Sequence, residues 1–123
     1  MRILITGTTG YIGKRLIPLL LKENHKVICV VRDKMRIERS YLKEDNIEIV
    51  EADFLDLNSL KKIPKDIDVA YYLIHSMSNS SKNFEALEKQ CAKNFKTYFE
   101  TTEVQQVIYL GGIANEEVLS KHL

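Results

Sequence analysis

The residues best suited to chemistry in this chain have no side chains. In "ITGTTGYIGKRL", residues 5–16, Gly7, Gly10 and Gly13 stand at intervals of three. A phosphate group needs bare backbone N–H donors and close approach, and a Cβ obstructs both. Gly7 suits a tight turn, Gly10 a close pyrophosphate, and Gly13 the packing of a helix onto what lies beneath it. Thr8, Thr9, Tyr11 and Ile12 belong to the same cradle. The pattern follows an apolar run and opens a helical one, which is the context that gives it meaning. A P-loop is excluded. Five residues separate Gly7 from Gly13, and Lys14 is followed by Arg15 rather than Ser or Thr.

Other chemical groups fall just after later apolar runs. Arg32-Asp33 follows Val27–Val31. An acidic residue in that place holds a ribose 2′-hydroxyl, whereas an arginine fork receives a 2′-phosphate. Arg32 comes first, so NADP is the expected cofactor, with NAD as the alternative. "EADFLD" follows the third run, and Asp53 is placed to accept from an adenine amino group with Phe54 beside the ring. Asp56 reads as the cap of the next helical turn. "YYLIHSMSNSS" follows the fourth. There the backbone of Ile74 and His75 is expected against the cofactor, and His75 and Ser76 are the candidates for proton chemistry. Gly111-Gly112 follows the fifth.

These groups need a scaffold that brings strand ends together. Apolar runs at 3–5, 27–31, 47–50, 69–74 and 107–110 alternate with helical patterns at 11–23, 33–45, 57–63 and 84–101. Asn24 suits a left-handed stop to the first helix, and Pro18 should interrupt it. In the last helix Phe84, Leu87, Cys91, Phe95, Tyr98 and Phe99 lie near one stripe. Runs that are apolar throughout indicate a parallel sheet covered on both faces. The fold class is therefore α/β, a doubly wound Rossmann sheet of order 3-2-1-4-5, with ligands at the carboxyl ends of the strands.

Bulk properties fit one small domain of 123 residues. Eighteen basic and 17 acidic side chains leave a net charge of +1, giving no reason to expect nucleic acid or an anionic membrane as partner. No apolar run reaches the roughly 20 residues of a membrane span. Cys29 and Cys91 form no metal-type pair and read as buried, reduced thiols in a cytoplasmic protein. A sheet ending at its fifth strand leaves an open edge, so a homo-oligomer is expected.

"TGTTGYIG", "VVRD", "EADFLD" and "IYLGGI" together resemble the short-chain dehydrogenase/reductase superfamily, in its atypical, NmrA-like and sugar-nucleotide-epimerase-like branch. "AYYLIHSM" followed by "NFEALEKQCAKNF" is similar to a bacterial subgroup of that branch. The resemblance covers essentially the whole chain. It implies a cofactor-binding half, to which residues 1–123 correspond as the N-terminal part of a longer protein. It also implies a substrate half for a carbonyl, alcohol or nucleotide-sugar. Two departures stand out. Gly111 and Gly112 replace the serine that active members carry after strand 5. None of the tyrosines, at 11, 41, 71, 72, 98 and 109, has a lysine four residues on. The expectation is thus an NADP-binding domain of an oxidoreductase or epimerase, with little turnover as this chain alone. The rival is a non-catalytic dinucleotide sensor or scaffold.

Overall fold

The computed structural model describes residues 1–8, 10–73 and 82–109, with the backbone alone at 82–84. Thr9, Ile74, His75, Ser76, Gly111 and Gly112 lie outside the described residues. Five strands form one sheet: β1 (Arg2–Thr6), β2 (Lys26–Val31), β3 (Ile47–Glu51), β4 (Val69–Tyr72) and β5 (Gln106–Tyr109). Their order is β3-β2-β1-β4-β5, and every pairing is parallel.

Alternation along each strand divides the core into two layers. Ile3, Ile5, Val27, Cys29 and Val31 pack with Ile17 of helix α1 (Tyr11–Lys22). Leu4, Ile28, Val30, Val50, Ala70 and Tyr72 pack with Phe95 and Phe99 of helix α2 (Lys82–Phe99). Hence β1 and β2 are apolar on both faces, as the sequence predicted.

Both ends of α1 follow from local chemistry. Asn24 has φ 63°, and the chain closes with Asn24 N–H to Leu21 O at 3.0 Å and His25 N–H to Leu20 O at 3.1 Å. Those two bonds satisfy carbonyls that the helix end would otherwise orphan. Pro18 lies inside the helix without ending it. Leu87, expected on the buried stripe of α2, is 48% exposed instead.

The segment 33–45 departs from the single helix expected. It forms two 3-10 helices, Lys34–Arg36 and Arg39–Lys43. Between them Ile37 takes an extended backbone and sinks into the α1 layer. Only Ile37 and Tyr41 offer apolar anchorage there, too little for a continuous buried helical face. A third 3-10 helix covers Leu57–Lys62, and Asp56 caps it by accepting from Asn58 N–H at 3.1 Å.

Candidate functional site

The parallel sheet delivers the ends of β1, β2 and β3 to one rim. At the end of β1, Gly7 adopts φ 71°, a conformation that L side chains rarely adopt. A Cβ there would lie 3.0 Å from Leu73 O. Gly7 O accepts from Gly10 N–H at 3.1 Å and closes the turn. Gly13 is equally constrained, since a Cβ would stand 2.6 Å from Gly7 O and 2.9 Å from Thr8 Cα. It lets α1 press against its own glycine loop, rather than against the strands.

Gly10 differs from both. A Cβ there would make ordinary contact with Gly7 O at 3.4 Å and, beyond its chain neighbours, meet no other described atom within 4 Å. It is also the N-cap of α1, with no side-chain cap and no acidic residue in the first turn. The amides of Tyr11, Ile12 and Gly13 therefore point out of the helix start without a partner among the described residues. The helix dipole adds partial positive charge. Arg15 adds a full charge one turn on, its Cζ 3.7 Å from the centre of the Tyr11 ring. Within the loop, the Thr8 hydroxyl is buried and has no hydrogen-bond partner among the described residues. Bare amides, an open Cβ position and an orphaned hydroxyl fit a phosphate-bearing ligand.

Thr6 holds this loop to β4. Its hydroxyl donates to Tyr71 O at 3.3 Å and accepts from Leu73 N–H at 3.1 Å, bridging the strands where their ladder ends. The sequence reading missed Thr6, although a lone threonine closing an apolar strand is a visible signal.

At the end of β2, Arg32 is exposed and makes no salt bridge among the described residues. The neighbouring carboxylates are engaged elsewhere. Asp33 Oδ1 accepts from Met35 N–H at 2.9 Å, and Glu51 Oε2 accepts from Lys34 N–H at 3.0 Å. At the end of β3, Asp53 is half-buried, and its Oδ1 accepts from Leu55 N–H at 2.9 Å. Ser59 ties the same loop down, accepting from Asp53 N–H at 2.9 Å. Phe54 corrects an expectation. The residue is 3% exposed and its ring sits 5.5 Å from the Phe95 ring, so the side chain belongs to the core under α2.

Asn94 of α2 is a second residue that the sequence reading missed. It is 4% exposed, donates to Phe54 O at 2.6 Å and accepts from Gln90 Nε2 at 2.8 Å. Its signal was a polar residue interrupting the stripe of Cys91, Phe95, Tyr98 and Phe99. Among the described residues no group of His, Cys, Asp and Glu could hold a metal ion. No described helix is long and apolar enough to cross a membrane.

A five-stranded parallel sheet of this order, with a glycine turn feeding the first helix, defines a doubly wound Rossmann domain. The chain belongs to the NmrA-like family, whose profile matches residues 1–112. It is 34% identical over 88 residues to pinoresinol reductase 1 of Arabidopsis thaliana, covering 67% of this chain and 28% of that protein. It is 32% identical over 111 residues to the bifunctional pinoresinol-lariciresinol reductase of Sinopodophyllum hexandrum, covering 79% of this chain and 35% of that one. Among solved structures, the Bordetella bronchiseptica enzyme WbmG in complex with NAD superposes with a TM-score of 0.76 at 18% identity, over 89% of this chain and 36% of that one. The yeast methylglyoxal/isovaleraldehyde reductase Gre2, complexed with NADPH, gives 0.72 at 19% identity over the same shares. At such identities these structures speak for the fold alone. The chain thus spans 28% and 35% of the length of the two reductases named.

Proposed function

We propose that this chain holds the dinucleotide NADP(H), as the cofactor-binding portion of an NmrA-like reductase. The observation that carries this is the start of α1, which has no side-chain cap and begins at Gly10, where no side chain covers the first amides. A diphosphate there accepts from the amides of Tyr11, Ile12 and Gly13 and meets the positive end of the helix. Thr8 and Thr9 flank it. Asp53, through the carboxylate oxygen that Leu55 leaves free, accepts from the adenine amino group. NADPH over NADH follows from Arg32. Its guanidinium is exposed and makes no salt bridge among the described residues, so it is available to a 2′-phosphate.

When bound, the nicotinamide would supply hydride to a carbonyl-type substrate. The chain's own part is to bind and orient the cofactor. Ile74, His75 and Ser76 are assigned to the nicotinamide end by the sequence reading. The rival reading is a sensor or scaffold that binds the dinucleotide without turnover. Gly111-Gly112, where active members of the resembled superfamily carry a serine, favour it.

Isothermal titration with NADPH and NADH tests the proposal. Binding of NADPH in the micromolar range supports it, and no heat with either dinucleotide at millimolar concentration sinks it. Arg32→Ala should weaken NADPH by about tenfold or more, the worth of a charge-assisted contact, and NADH by much less. Equal losses would remove Arg32 from the 2′-phosphate site.

A further inference from the structure

Asn94 lies on α2, outside the three strand ends, yet its side chain is bonded to the loop that follows one of them. The loop after β3 has two external anchors. Ser59 accepts from the Asp53 amide at one end, and Asn94 donates to the Phe54 carbonyl at 2.6 Å. Asn94 is 4% exposed, so losing this bond would leave a buried amide and a buried carbonyl unpaired. Gln90, one turn earlier, fixes the orientation of the Asn94 amide by donating to its oxygen at 2.8 Å. The Phe54 and Phe95 rings, 5.5 Å apart, press the same loop and helix together.

This anchoring sits at the adenosine end of the rim. Cys91, one turn before Asn94 on α2, feels both groups assigned there. Burial first, and then the Asp53 carboxylate, push its thiol up, while Arg32 pulls it back. Asp53 follows Ala52 in the chain and precedes Phe54, so the height and tilt of its carboxylate are set by where the Phe54 carbonyl is held. Arg32 reaches the rim from β2, to which Asn94 makes no hydrogen bond among the described residues.

We infer that Asn94 is a positioning residue for adenine recognition: through the Phe54 carbonyl it holds the Asp53 carboxylate at the height of the adenine amino group. This rests on the dinucleotide reading above. A residue that only stabilised the fold would weaken every part of the cofactor alike. Asn94 instead controls base selectivity and leaves the 2′-phosphate preference with Arg32.

The test compares NADPH with its hypoxanthine analogue, in which the adenine amino group is replaced by a carbonyl oxygen. Wild-type chain should favour NADPH by about tenfold or more, as expected for a hydrogen bond to a carboxylate. Asn94→Leu should bring the two ligands within about threefold, while the ratio of NADPH to NADH affinity stays at the wild-type value. Gln90→Leu, at an exposed position, should shift base selectivity in the same direction by less. It carries the test if Asn94→Leu does not fold. Unchanged base selectivity in the folded variants overturns the inference. So does a wild type that binds NADPH and the analogue equally. A wild type that binds neither overturns the dinucleotide reading itself and this inference with it.

Discussion

At the scale of single residues, three glycines that look equivalent in the sequence have three different reasons to exist. Gly7 is fixed by its positive φ and by Leu73 behind it. Gly13 is fixed by the 2.6 Å approach to Gly7 O. Gly10 has an ordinary backbone, φ −80° and ψ 173°, and ordinary room. Among the described residues nothing requires a glycine there, which agrees with the proposed diphosphate contact. Substitutions should separate these roles. Gly10→Val should retain the wild-type unfolding midpoint and lose about tenfold or more in NADPH affinity, because the new methyls fill the space a diphosphate would take. Gly13→Ala should instead destabilise the fold by about 1–3 kcal/mol, since backbone must shift to admit the Cβ. Paired denaturation and titration curves would show whether the two effects divide this way.

At the scale of elements, strand order and both faces of the sheet were legible because the apolar runs are continuous and regularly spaced. The stop of α1 was legible too, since few residues other than glycine tolerate the left-handed region and asparagine is one. Asn24→Ala should cost about 1 kcal/mol, and Asn24→Gly should be neutral or slightly stabilising. Urea unfolding midpoints would check both. The charged stretch 33–45 was misread because helical propensity does not supply a buried face. Its local carboxylate caps and the inward turn of Ile37 decide the structure instead. Phe54 was misread because an aromatic at a strand end serves a ligand and a core equally well in sequence. Only the position of Phe95, more than 40 residues on, decides between them. Asn94 was passed over for the converse reason: its partner is a main-chain carbonyl, which no residue type announces.

At the scale of the molecule, the two layers protect buried groups whose ionisation the fold opposes. Cys29 is fully buried in the α1 layer, and burial pushes its thiol from an ordinary 9.0 up to about 12. Burial also raises Tyr72, with smaller contributions from Cys91, Tyr109 and Glu88. A pKa raised by folding means that the native state favours the protonated form. The stability this confers is complete below pH 9.0 and is lost as pH climbs toward about 12. Urea midpoints should therefore fall between about pH 9 and pH 11, and Cys29→Val should flatten that fall if it folds. An unchanged slope in Cys29→Val would assign the alkaline sensitivity to the tyrosines.

The Thr6 bridge carries a kinetic consequence. Its hydroxyl meets Tyr71 O across 65 residues of chain. β1 is the middle strand, and one of its neighbours is not synthesised until β4 has left the ribosome. Until then one flank of β1 has no strand to pair with, and the glycine turn that follows it lacks the support of Leu73. β1 is thus among the last strands of the sheet to reach its final contacts, and the glycine turn would settle only once Leu73 had emerged.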